Sequence, residues 1–463
     1  MIYNEQDPKQ ILEYARRLEK NTIRETNTVF ETNEGAATKS TSPKYMGKDY
    51  QGKGSFGQVL EEQYFGKKND SVSQPDFPKA KMELKASPLK RLKNNQIRVK
   101  ERLVLNLFTY MDIDKETFGT SHFKMKDTLI LLVFYFYDNS LNPLDMTIDL
   151  VDIWECLKED ERQIRQDWED IVKKVHDGKA EEISEGDTLY LGACTKGTTT
   201  LSSMQRQPHS DVLARGRALC FKTSYINHIY NVLKAKGNER EQRFVTKKDA
   251  TFEETIATLF NPCIGMTGEQ IQQKLGIKVE GKAKYAIIAR MILGFNRKGM
   301  HGKRFYEFDA ADIQVKSIRI EKNGGIRENI SFKPIQYKEL VTQDWEDSDL
   351  YQELTSKFIF AMFRKTDDDS DYYLSGYRFW NMPEKDLEVA GQEWFRTKAA
   401  ILRDDFSDMP KMRDHKVIHV RPHAKNKLDE METPSGRMEY KRSFWLNRDY
   451  VMKTIVGIQK ASS

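Results

Sequence analysis

The chain is poor in cysteine, with four in 463 residues. Cys156, Cys194, Cys220 and Cys263 share no metal-type spacing and are too sparse for a disulfide framework, which fits a reducing compartment. Long apolar runs are missing as well. The longest, TLILLVFYFY from Thr128 to Tyr137, is too short to span a bilayer and reads as a buried strand. The opening MIYNEQDPKQILEYARRLEK has no apolar signal region. These absences argue for a soluble, cytoplasmic protein without a membrane partner. A dominant charge is also lacking: 75 Lys and Arg against 70 Asp and Glu leave +5. Any surface for a polyanion must therefore be local. With 38% hydrophobic and 31% charged residues, the chain is polar yet able to bury a core, and its length suits two or three domains.

A stretch GKGSFGQVLEE from Gly52 matches the glycine-rich loop that covers ATP in protein kinases, and MELK downstream could pass for the kinase strand lysine. The match goes no further. There is no H-R-D loop and no D-F-G, since DFP at Asp76 and DFS at Asp405 lack the glycine. Phe56, Val59, Leu60 and Tyr64 recur at helical spacing, whereas a kinase loop joins two strands. An isolated glycine motif is a weak signal, and the kinase reading is rejected.

The same region carries a different chemistry. In PDFPKAKMELK, Asp76 leaves a turn and Glu83-Leu84-Lys85 follows seven residues later. On a strand Glu83 and Lys85 share one face while Leu84 points to the core. Two carboxylates meeting at one point suit a hard cation such as Mg2+, and a neighbouring ammonium can orient or deprotonate water. This is the P-D…E-x-K constellation of metal-dependent nucleases. Glu61, on the preceding helical segment, offers a third carboxylate. From Lys85 to Arg102 inclusive there are seven Lys or Arg and one acid, a basic stretch suited to backbone phosphates.

The segments GQVLEEQYFG, PDF and MELK resemble the MutH family of DNA endonucleases, which includes the mismatch-repair nickase and GATC-cutting type II restriction endonucleases. The likeness continues in family order through ILEYARRLEK, TSHFKMKDTLILL, RQIRQDWEDIVKKV, LYLGACTKGTT and ALCFKTSYINHI, covering most of residues 1–235. The resemblance implies an α/β (α+β) PD-(D/E)xK fold with a mixed sheet flanked by helices. It implies Asp76, Glu83 and Lys85 as the catalytic triad, with Asp76 and Glu83 holding Mg2+. Glu61 becomes the helper carboxylate. One extra residue before Tyr64, relative to the family pattern, leaves Glu62 as the alternative. Lys126 matches an active-site lysine, and Lys196 a lysine that reads bases in the major groove, with Thr195 beside it also expected at DNA. Cys194-Thr195 stands where the mismatch-repair member has Arg-Pro.

The remainder of the chain repeats the first part. Trp168 pairs with Trp394, Lys196 with His423, and KNNQIR with KNGGIR, at offsets of about 227 residues. We expect two tandem MutH-like domains: a catalytic one over 1–233, a polar linker over 234–250, and a second over 251–463. In the second, ADIQVKSI aligns with AKMELKAS, so Gln314 replaces Glu83 while Lys316 keeps the place of Lys85. Glu307 and Asp309 lie near the place of Asp76. An amide holds Mg2+ poorly, so this copy is expected to be silent and to bind DNA through Arg421, His423 and Lys425. His415, His419 and His423 are spaced by four on a strand-like segment, which does not bring their rings together.

The expected activity is Mg2+-dependent restriction of double-stranded DNA at a short palindrome, GATC by resemblance. A cognate DNA methyltransferase is the functional partner, and a palindromic target points to pairing of two copies on DNA. The alternatives are a mismatch-repair type nicking enzyme and a non-catalytic DNA-binding regulator.

Overall fold

The computed structural model describes residues 3–27, 54–67, 74–92, 95–196, 203–235, 242–247, 250–295, 305–326, 329–367, 370–414, 416–424, 426 and 428–457. The polar segment before Gly54, much of the expected linker, and Lys425 lie outside them. The chain divides into two compact units. The first comprises Met1–Glu181 and Tyr190–Arg240, the second Glu182–Leu189 and Glu241–Ser463. No helix is long and apolar enough to cross a membrane among the described residues.

The first unit is built on a four-stranded sheet. Its strands are β1 (Glu83–Arg91), β2 (Ile97–Val99), β4 (Leu129–Phe136) and β5 (Ile148–Glu155), in the order β2-β1-β4-β5. β4 is the apolar run of the sequence, and it is buried from Ile130 to Tyr135 because sheet neighbours flank it and both its faces are covered. It pairs parallel with β1, Glu83 opposite Ile130, and antiparallel with β5. A second, antiparallel sheet combines β3 (Leu103–Phe108), β6 (Leu191–Thr195) and β9 (Arg217–Phe221) in the order β3-β9-β6. The strands β7 (Met204–Gln207) and β8 (Ser210–Arg215) form a hairpin between β6 and β9.

Helices cover these sheets. They are α1 (Pro8–Ala15), α2 (Ser55–Val59), α3 (Tyr110–Ile113), α4 (His122–Lys126), α5 (Lys158–His176) and α6 (Thr223–Lys234). Ile11, Tyr14, Phe56, Val59, Leu60 and Tyr64 pack with Leu84, Leu131 and Val133 in one core, which pins the segment carrying Glu61 beside β1. The predicted stripe Ile164, Trp168, Ile171, Val172 and Val175 is the buried face of α5. On that face Asp167, 1% exposed, accepts from the backbone N–H groups of Tyr190 at 2.7 Å and Leu191 at 2.9 Å, tying α5 to the start of β6.

The second unit has the helices α7 (Phe252–Phe260), α8 (Gly268–Leu275), α9 (Lys284–Ile292), α10 (Tyr306–Ala310), α11 (Tyr337–Leu340), α12 (Asp349–Leu354) and α13 (Glu384–Leu402). Its strands are β10 (Gln314–Ile320), β11 (Ser331–Pro334), β12 (Phe358–Arg364), β13 (Tyr373–Trp380), β14 (Ile418–Pro422), β15 (Glu430–Glu432), β16 (Met438–Tyr440) and β17 (Arg442–Leu446). They form sheets ordered β10-β12-β13, β11-β17-β14 and β15-β16. β10 pairs parallel with β12, and β12 antiparallel with β13, the pattern of β1, β4 and β5. Trp394, at the aligned place of Trp168, is fully buried on α13.

Candidate active site

Asp76 reaches the start of β1 through a tight reversal. Phe77 and Met82 exchange backbone hydrogen bonds of 2.9 and 3.2 Å, and Lys81 closes the turn at φ 52°. The reversal is locked by the acids themselves. Asp76 Oδ2 accepts from the Leu84 N–H at 2.8 Å, and the Asp76 N–H donates to Glu83 Oε2 at 3.2 Å. Alternation then works as the strand pattern demands: Leu84 is buried in the core, and Lys85 returns to the face of Glu83 with Nζ 2.8 Å from Oε1. Lys126, last residue of α4, brings its Nζ to 3.2 Å from the same oxygen. The Glu83 side chain is 2% exposed.

Glu61 stands on a π-helical turn, Leu60–Tyr64, where the Phe65 N–H bonds to the Leu60 carbonyl at 3.2 Å. A π turn accommodates one residue more than an α turn, which accounts physically for the extra residue before Tyr64. Of the pair left open by the sequence, Glu61 feels the charges of Asp76, Lys85 and Glu83.

The centre holds more acid than it neutralises. Burial first, then repulsion from Asp76 and Glu83 against the pull of Lys85, pushes Glu61 up to about 7. Asp76 rises to about 6 through burial and Glu83, opposed by the Leu84 N–H, Lys85 and Lys126. Burial works against the Lys85 charge, but Glu83, Asp127 and Asp76 outweigh it and hold the ammonium above its ordinary range. Partly buried carboxylates that resist ionising beside one another are a site for a hard divalent cation. The donor set fits such an ion: all oxygen, with Asp76 and Glu83 linked through the Asp76 N–H and each feeling the other's charge.

Asp127 escaped the sequence reading. It is fully buried between α4 and β4, and neither carboxylate oxygen has a hydrogen-bond partner among the described residues. Burial raises it to about 7, with Lys85 and Lys126 pulling down and Glu83 and Asp76 pushing up. The signal available was an acid between Lys126 and an all-apolar strand, a place where an unneutralised charge needs a reason.

On the other sheet, Lys196 follows β6 and is held by its N–H to the Gly216 carbonyl at 2.8 Å. With Phe108, Asp112, His122, Gln205 and Arg217 it lines a cavity of about 500 Å3. Thr195 is 7% exposed within β6, so of the two residues expected at DNA only Lys196 lines this cavity. In the second unit His423 follows β14 with the same backbone pairing, its N–H donating to the Lys441 carbonyl at 2.7 Å. Its Nδ1 lies 2.6 Å from Ser443 Oγ, and Arg421 rests 5.4 Å from the Trp445 ring; both residues are exposed.

The place of Asp76 is taken in the second unit by Glu307. Ile313 bonds back to Phe308 at 3.0 Å, and Asp312 sits at φ 47°, as Met82, Phe77 and Lys81 do in the first unit. Glu307 instead accepts from the backbone N–H groups of Phe244 at 2.7 Å and Val245 at 3.3 Å. Gln314 donates to Asp312 Oδ1 at 2.9 Å. Loss of water around Lys316 is the largest influence on it and lowers its pKa.

Comparison with known proteins places the chain in a family. The family model for the DNA mismatch repair enzyme MutH matches residues 65–167, the span holding Asp76, Glu83, Lys85, Lys126 and Asp127. The type II restriction enzyme Sau3AI of Staphylococcus aureus is 32% identical over 460 residues, covering 88% of this chain and 93% of that protein. The DNA mismatch repair proteins MutH of Vibrio parahaemolyticus and Vibrio campbellii are 28% and 24% identical, over 36% and 41% of this chain and 73% and 81% of their own lengths. The chain belongs to the MutH-related family of type II restriction endonucleases and is a site-specific deoxyribonuclease.

Proposed function

We propose that the chain hydrolyses double-stranded DNA at GATC with Mg2+ as cofactor, as the nuclease of a restriction–modification system whose methyltransferase protects host DNA. The observation that carries this reading is a buried Glu83 carboxylate that accepts from the Asp76 N–H on one oxygen and holds two lysine ammoniums on the other. Asp76 and Glu83 would hold the ion, with Glu61 beside them. Bound there, Mg2+ supplies charge neutralisation at the scissile phosphate. Lys85, beside Glu83 and held charged, donates to and orients a water for in-line attack, and the proton that water gives up ends on the leaving oxygen. Lys126 offsets negative charge building on the phosphate oxygens. Water adds to phosphorus, the ester P–O bond breaks, and a phosphomonoester and an alcohol are released. Lys196 reads base edges, donating to guanine O6 and N7.

The second unit is a MutH-like copy without chemistry that binds DNA through the Arg421, His423 and Lys425 region. The reading is supported by the repeated strand pattern, and by Gln314 and an amide-bound Glu307 in the places of the two acids. A palindromic target further implies that two copies pair on DNA or nick in turn. The test is incubation of the purified chain with plasmid in Mg2+, with and without chelator, and mapping of the ends. Double-strand fragments that end at GATC and vanish with chelator are expected. Nicks alone favour a repair-type enzyme, and no cleavage contradicts the proposal.

A further inference from the structure

Asp114, His176 and His209 come from three separate elements of the first unit and converge away from the acids of the active centre. Asp114 caps the end of α3, His176 is the last residue of α5, and His209 sits in the β7–β8 turn at φ 62°. One ligand atom from each lies within 4.8 Å of the others. His176 Nδ1 is 3.0 Å from Asp114 Oδ1, and His209 Nε2 is 3.3 Å from Asp114 Oδ2. The two imidazole rings are 6.4 Å apart and inclined by 27°.

Two features set this group apart from ordinary ion pairs. Asp114 Oδ1 is buried and makes no hydrogen bond among the described residues although the His176 ring nitrogen lies 3.0 Å away, while Oδ2 is hydrogen-bonded to His209 Nε2 at 3.3 Å. Contact without hydrogen-bond alignment is the relation of two atoms that share a third partner. Ligands about 2.1 Å from a tetrahedral ion are roughly 3.4 Å apart, near the 3.0 Å between His176 Nδ1 and Asp114 Oδ1. The second feature is the backbone. Gly178, at φ 67° just beyond α5, lies so close to the β7–β8 turn that a Cβ there would meet the His209 carbonyl oxygen at 2.6 Å. Chain contact thus holds His209 near His176, and the half-exposed rings leave room for water to complete the sphere.

We propose that Asp114, His176 and His209 form a binding site for a transition-metal ion of the Zn2+ class, which clasps the β7–β8 hairpin to the end of α5. Imidazole nitrogen selects such ions over Mg2+, which prefers oxygen. The hairpin carries Gln205, a wall of the cavity around Lys196, so the ion would hold that wall in place. The proposal does not depend on the identity of the reaction.

The experiment uses the full chain, stripped by chelator and carrying Asp76→Asn to remove binding at the active-site acids. Co2+ is titrated by its visible ligand-field absorption and Zn2+ by calorimetry. One saturable equivalent per chain is expected, lost in His209→Ala and in His176→Ala. Zn2+ should raise the Tm of the parent but not of either histidine variant. Both histidines are half exposed, so the variants keep their fold. The absence of a saturable equivalent, or equal binding by both variants, overturns the site.

Discussion

At the scale of single residues, the active centre is a balance of unlike charges in which acids outnumber lysines. Asp127 shows what that balance does. Its folded pKa of about 7 lies above the ordinary carboxylate range, so the group favours the folded state below about pH 4. That contribution is lost as pH rises to 7. Asp127→Asn should therefore stabilise the chelator-treated protein at pH 8, on the order of 2–4 kcal/mol, with the gain shrinking towards pH 5. Thermal unfolding across that range measures it. The same change should slow single-turnover cleavage about tenfold, because Lys85 and Lys126 lose a counter-charge other than Glu83, the proposed metal ligand. The residues of this centre differ in how well the sequence displays them. Asp76, Glu83 and Lys85 fall within ten positions, and strand alternation alone places the last two together. Asp127 comes to Lys85 only through the parallel pairing of β1 with β4, and a local pattern contains no information on that register.

Elements carry these residues to their places, and buried polar contacts fix the elements. Asp167 is the clearest case: one carboxylate oxygen holds two backbone N–H groups at the start of β6, the strand that leads to Lys196. Asp167→Ala leaves both amides buried without that partner. The expected loss is about 3 kcal/mol, read as a lower midpoint in denaturant with an unchanged slope. An unchanged midpoint would show that the contact does not anchor the strand. The helical stripe of α5 was plain from its apolar spacing, but the use of Asp167 was not, since an acid on a helix ordinarily faces water. Glu61 teaches the same lesson. It stands with Glu62 on a π turn, and backbone hydrogen-bond register is invisible in side-chain spacing.

For the whole molecule, the question is why one chain carries two units of like strand order. Gln314, opening β10 as Glu83 opens β1, marks the difference between them. Gln314→Ala should leave single-turnover cleavage at saturating enzyme within about twofold of the parent; a large loss would mean that the second unit takes part in the chemistry. The expectation of a repeat rests on tryptophans and strand runs that recur at near-constant offset. The participation of Glu182–Leu189 in the second unit was not, for it depends on tertiary contacts far along the chain.

The central claim is that Asp76 and Glu83, beside Lys85, form the hydrolytic centre. Its most direct test is single-turnover cleavage of a GATC duplex by Glu83→Gln in Mg2+, with duplex binding measured in parallel. Cleavage lowered by at least about a thousandfold, on the order of 4 kcal/mol, with binding retained, is the predicted result. Near-normal Mg2+-dependent cutting by Glu83→Gln would contradict it.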